Sequence, residues 1–127
     1  MNNKDKEHEN QTIQEAILAY YHDGHALYDP DLYKQILHPE WKFFLLENDQ
    51  LRIVDREEFC TWYDPEKLNP DLNWETEFYR IDITGNLAAV KLRLENQEVK
   101  YIDYLNLMKI EGKWWIVHKL SHDQRKE

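Results

Sequence analysis

A chain of 127 residues, 42% hydrophobic and 13% aromatic, is long enough for one buried core and too apolar through its middle for disorder. A net charge of −9 with no Lys/Arg cluster to offset it weighs against nucleic acid and membrane surfaces as partners. One cysteine, Cys60, excludes an internal disulfide and a cysteine-based zinc site, and no apolar run is long enough for a membrane span or a signal peptide, so a soluble, cytoplasmic protein is expected.

Residues 1–11 (MNNKDKEHENQ) have no apolar residue after the first and read as a frayed tail. Thr12-Ile-Gln-Glu15 has the form of a capping box, and Ile13, Ala16, Ile17, Tyr20, Gly24 and Leu27 follow at helical spacing. This predicts an amphipathic helix over about 12–27, in which Gly24 leaves room for another element or a ligand to approach. Asp29-Pro30 opens a short second helix, since Asp caps well and Pro is preorganised at the first helical position. Pro39 ends it and leaves His38 in a loop.

Trp41–Leu46 is rich in strand formers, Asn48-Asp49 turns, and Leu51–Val54 returns. Asp55-Arg-Glu-Glu58 opens a third helix carrying Phe59, Cys60, Trp62 and Tyr63. From Trp74 the period changes to two. Strands over about 74–83, 87–95, 99–110 and 113–121 are separated by Gly85-Asn86, Asn96-Gln97 and Glu111-Gly112, which makes an antiparallel meander. Residues 123–127 read as a charged tail. Helices collected ahead of an antiparallel sheet predict one α+β domain over 12–122.

The order of elements, together with Tyr20-Tyr21-x-x-Gly24, Leu37-His38-Pro39, Asp55-Arg-Glu-Glu-Phe59, Asp103-Tyr-Leu, Lys109-Ile-Glu-Gly-Lys-Trp114-x-Ile-Val and Lys119-x-x-His122, resembles the nuclear-transport-factor-2-like superfamily. Within it, the chain is similar to the branch called "putative lumazine-binding". The resemblance implies a cone: three N-terminal helices on a strongly curved, mostly antiparallel sheet. It also implies a pocket between helices and sheet, and dimerisation through the sheet. The superfamily includes isomerases, dehydratases and cyclases as well as proteins with no known reaction, and no local motif carries over the isomerase base or oxyanion hole.

Asp103 interrupts the apolar strand 99–110. A buried carboxylate needs partners, and the choice lies between a general base or ligand acceptor and a structural ion pair. With a two-residue turn at Glu111-Gly112, Asp103 falls opposite Leu120 and shares a face with His118 and, further along, His122. A single β-bulge hands it Lys119 instead. His38 stands where a pocket mouth is expected, although a loop histidine bonded to backbone is the commoner case. Tyr20 and Trp41 are the aromatics expected to line a pocket; the others are core. His22 and His25 are three apart on a helix, but no acid motif joins them, so no metal is expected. Cys60 reads as a buried structural thiol.

Taken with the pocket that the resemblance implies, the residues lead us to expect a small-molecule-binding protein with an apolar, aromatic pocket and no cofactor. Tyr20, His38, Trp41, Asp103, His118, Lys119 and His122 are its candidate contacts. Two rival readings are a cofactor-free isomerase, dehydratase or cyclase with Asp103 as base, and a non-catalytic dimerisation module. A homodimer through the sheet is expected, because the meander is apolar on both faces.

Overall fold

The computed structural model describes residues 3–126. Its first helix starts well before Thr12. Helix α1 (Asn3–Ala16) runs into a π-helical turn (Ile17–His22) and on into α2 (Asp23–Ala26). Thr12 is therefore inside the helix, and its hydroxyl donates to the His8 carbonyl at 2.9 Å rather than capping. The segment before Thr12, expected to fray, is held by Glu9. The Glu9 carboxylate accepts from Lys109 Nζ at 2.9 Å and from Trp114 Nε1 at 2.7 Å. Burial raises the Glu9 pKa, but the bonds from Lys109 and Trp114 outweigh it and leave the group below the ordinary carboxylate value.

Apart from Gly24, the residues this helix buries are Glu9, Ile13, Ile17, Tyr21 and His25, four apart each time. In a 3.6-residue helix a step of four overshoots a full turn by about 40°. The wider π-turn absorbs part of that drift and keeps Tyr21 and His25 on the core side. Gly24 sits on the same side, and a Cβ there would meet the Tyr33 ring at 3.0 Å.

Helix α3 (Pro30–Tyr33) is capped as expected, Asp29 accepting from the amides of Asp31 and Leu32. It is shorter than expected, because strand β1 (Leu37–Glu47) begins before His38 and Pro39. Strand β2 (Gln50–Asp55) and helix α4 (Arg56–Thr61) follow, with Asp55 accepting from the Glu58 amide at 2.8 Å. After a 3₁₀ turn (Pro65–Lys67) come β3 (Glu75–Thr84), β4 (Leu87–Glu95), β5 (Val99–Ile110) and β6 (Lys113–Arg125). The charged end expected to be a tail is thus largely strand, with Arg125 paired to Val99.

The six strands form one sheet in the order β2-β1-β6-β5-β4-β3, antiparallel except for the parallel pair β1–β6. The core lies between its inner face and the helices and includes Ile13, Ile17, Tyr33, Trp41, Phe59, Leu92, Leu105 and Ile116. Three pairings carry register shifts: β1–β6 between Leu37 and Lys42, β3–β4 between Phe78 and Arg80, and β5–β6 between Asn106 and Leu107. Such shifts bend a strand and re-aim its side chains. In β3 the shift puts Phe78, Ile81 and Ile83 all against the core, where uninterrupted alternation would separate Phe78 from the two isoleucines. Among the described residues no helix is long and apolar enough to cross a membrane.

Candidate functional site

The shift in β5–β6 decides the site. Ile110 pairs with Lys113 as a two-residue turn requires, but Leu107 pairs with Ile116 and Asn106 with His118, so Val117 is the extra residue. Beyond it Asp103 pairs with Ser121, not Leu120. The inner face of β6 then carries Trp114, Ile116, Lys119 and Ser121, and the bulged alternative is the one realised. Lys119 is inward and buried, whereas His118 is carried to the outer face, where its ring meets Phe44 with centroids 4.7 Å apart.

Asp103 is buried to 1% exposure behind the inner face. One carboxylate oxygen accepts from the Tyr21 hydroxyl at 2.5 Å, and the other accepts from Ser121 Oγ. Burial, and then the Asp103 charge, push the Tyr21 phenol well above its ordinary value, so it stays protonated and donates. The Lys119 side chain makes no ion pair or hydrogen bond with any described residue. Its Nζ lies 4.7 Å from the Phe43 ring centroid, 4.8 Å from Phe59 and 5.2 Å from Tyr21. Burial lowers the Lys119 pKa and the Asp103 charge partly restores it, leaving a net downward shift.

His25 occupies the other side of this cluster. Its Nδ1 is bonded to the Tyr33 hydroxyl and its Nε2 to the Tyr63 hydroxyl at 3.2 Å, so a neutral ring with one donor and one acceptor satisfies both. Burial, then the Lys119 charge, push its pKa well below the ordinary imidazole value. The rings of Tyr63, Trp74 and Tyr101 pack within 5.6 Å of it, centroid to centroid.

A cavity of about 620 Å³ opens beside these groups. The β1–β6 register ends at Phe43↔Lys119, while both strands run on, β1 to Glu47 and β6 to Arg125. The cavity lies along this divergence, with Leu45 and Leu46 on one side and residues 120–123 on the other. Its inner wall is Phe43, Phe59, Tyr63, Tyr101, His25 and Lys119. Such a surface is mostly apolar with a few convergent polar groups, which is how small-molecule sites are built.

Of the residues singled out in the sequence, Lys119 lines this wall and His122 lies at the mouth. Asp103 stands one layer behind, joined to the wall through Ser121. Trp41 is fully buried core packed on Phe59, and its Nε1 has no hydrogen-bond partner among the described residues. Tyr20 is half-buried against the core and does not reach the cavity; its neighbour Tyr21 takes the inward position. His38 lies in β1 rather than in a loop, accepts from the Glu40 amide at 3.0 Å, and meets Trp115 on the outer face. The Asp103–His118 pairing weighed from the sequence is therefore not formed. His22 and His25 also diverge, His22 turning to Thr76 Oγ1 at 2.8 Å. Among the described residues no cluster of histidine, cysteine or acid is placed to hold a metal ion. Cys60 is buried, and burial raises its thiol pKa.

Sequence reasoning missed His25, Tyr63, Tyr101 and the ring cage around Lys119. The signal for His25 was present as the spacing of four through Ile13, Ile17 and Tyr21, which points to Tyr21 rather than Tyr20. No signal in the chain marks Tyr63 and Tyr101, which come from elements far apart in sequence.

The fold and the family agree when the chain is compared with known proteins. The model of the family described as "putative lumazine-binding" matches residues 8–122. No curated protein matches the sequence closely enough to count as a relative. An NTF2-like protein of unknown function from Shewanella baltica superposes with a TM-score of 0.83 at 22% identity, over 94% of this chain and 96% of that one. Another from Silicibacter pomeroyi gives 0.82 at 13%, over 94% and 98%. The association domain of the CaMKII of C. elegans gives 0.65 at 14%, over 93% and 95%. At these identities the structures speak for the fold alone, and it is the family match, spanning nearly the whole chain, that establishes that this protein belongs to the "putative lumazine-binding" family of NTF2-like α+β proteins.

Proposed function

We propose that this chain is a non-catalytic binding domain for a small, largely apolar or aromatic molecule, held in the cavity between β1, β6 and α4. The observation that carries the reading is the cavity wall, Phe43, Phe59, Tyr63 and Tyr101, with Lys119 and His25 as its inward polar groups. The family description is consistent with a ligand of this kind. Binding is supported over general-base catalysis because both Asp103 oxygens already accept hydroxyl bonds, and Asp103 does not border the cavity. The domain acts in the cytoplasm and needs no cofactor in this reading.

The same proposal includes a homodimer through the outer sheet face, where Tyr104, Met108, Ile110 and Leu120 are exposed. That one structural neighbour is an association domain lends support. Screening small aromatic compounds by ligand-observed NMR tests the binding reading. Hits are expected with the wild-type protein, and a Leu45→Trp variant, which narrows the mouth, weakens them about tenfold or more. An absence of hits, or binding indifferent to that variant, contradicts it.

A further inference from the structure

Lys119 is the one feature of the cavity wall whose chemistry is left incomplete. The residue is 4% exposed, and its ammonium, which borders the cavity, forms no hydrogen bond and no ion pair within 4 Å with any described residue. Three ring faces surround it, from Tyr21 on the π-turn, Phe43 on β1 and Phe59 on α4. Ring faces favour a cation but accept no N–H hydrogen bond of ordinary strength. The nearest acid, Asp103, is engaged on both oxygens by Tyr21 and Ser121. An ammonium at the end of a nearly buried side chain, with three donors and no protein acceptor, is costly unless something supplies one. Lys119 borders the cavity, so a bound molecule can.

From this we infer that the cavity selects aromatic carboxylic acids, with the ligand carboxylate on Lys119 Nζ and its ring against Tyr63, Tyr101 and Phe43. This rests on the binding reading above and adds the chemical class. The remaining charged groups at the site restrict the geometry. Asp123 lies at the mouth and repels a carboxylate there, so the acid group is favoured at the inner wall and the apolar end at the opening. The rings around Lys119 contribute a second selection. They flank the ammonium on its protein side, so an anion placed there meets a charge less screened than one in open water and gains a charge-assisted hydrogen bond. His25 supplies no competing positive charge, since both its nitrogens are engaged by tyrosine hydroxyls in a neutral ring.

The test compares 2-naphthoic acid with 2-naphthamide, two molecules of the same shape differing in charge, by isothermal titration against the full chain near neutral pH. The acid is expected to bind about tenfold or more tightly than the amide. In a Lys119→Met variant, which keeps an unbranched apolar stem and removes the ammonium, that preference disappears while amide binding survives. Equal affinity of acid and amide for the wild-type protein overturns the inference while leaving the binding reading intact, and needs no variant to fold. Persistence of the preference in a folded Lys119→Met also overturns it. If neither compound binds the wild-type protein, both the inference and the binding reading fall.

Discussion

Tyr21 and Ser121 each give their hydroxyl to one buried carboxylate, and that arrangement determines what Asp103 can do. Removing either donor leaves a carboxylate oxygen unsatisfied in the core, which costs on the order of 1–3 kcal/mol. Tyr21→Phe should therefore lower the free energy of unfolding in urea by about that amount, with little change in secondary structure. An unchanged midpoint would mean that Asp103 is solvated. His25 makes a second residue-scale prediction. Its folded-state pKa is depressed well below 6.5 by burial, so the unfolded chain binds the proton more readily. The stability it contributes is present above about pH 6.5 and is lost as the pH falls below that toward the folded value. Unfolding followed between about pH 7 and 5 should show declining stability, and His25→Phe should flatten the decline. A wild-type curve that rises toward acid would contradict it.

At the scale of elements, two packing choices fix the helix against the sheet. Gly24 faces the Tyr33 ring, and the ring is itself wedged between Phe59 and Tyr21. Gly24→Ala gains helix propensity but forces a buried ring to move, with overpacking worth about 1–3 kcal/mol. A lowered melting temperature is expected, and a raised one would show that Tyr33 yields. Glu9 pins the start of α1 to β5 and β6 through Lys109 and Trp114. Glu9→Ala should raise amide hydrogen exchange across residues 3–12 while leaving 17–26 protected. Uniform protection would return the anchoring to some other contact.

The element scale also shows what was legible in the chain. The strand pairs and their turns were, because period-two patterning and Gly85, Asn96 and Gly112 are local signals. The capped starts at Asp29 and Asp55 were legible for the same reason. The start of α1 was not, because what orders it is a contact between Glu9 and residues about a hundred positions away. The bulge at Val117 was legible only as an alternative. Nothing local marks which residue is extra, yet it decides whether a histidine or Lys119 faces inward. Tyr20 was misplaced for a related reason. Helical phase read at 3.6 residues per turn points to Tyr20, and the π-turn shifts it to Tyr21.

At the scale of the molecule, the sheet has two faces with different fates. The inner face is filled by the core and the cavity wall. The outer face leaves Tyr104, Met108, Ile110 and Leu120 exposed on adjacent strands β5 and β6. Size-exclusion chromatography with light scattering at micromolar concentration should give a dimer, and a Tyr104→Lys/Leu120→Lys double variant a folded monomer. A monomeric wild-type protein would remove the dimer from the account. The two readings meet at Leu120, which is exposed on the outer face and also borders the cavity; the cavity's inner wall of Phe43, Phe59, Tyr63 and Tyr101 is separate from the dimer face.

That cavity is the centre of the account, and chemical-shift mapping on the nitrogen-15-labelled protein tests it most directly. Titration with 2-naphthoic acid is predicted to move the amides of Phe43, Tyr63, Lys119 and Ser121 together in a saturable way, leaving those of Tyr104 and Met108 in place. Shifts confined to the outer sheet face, or none at all, would contradict it.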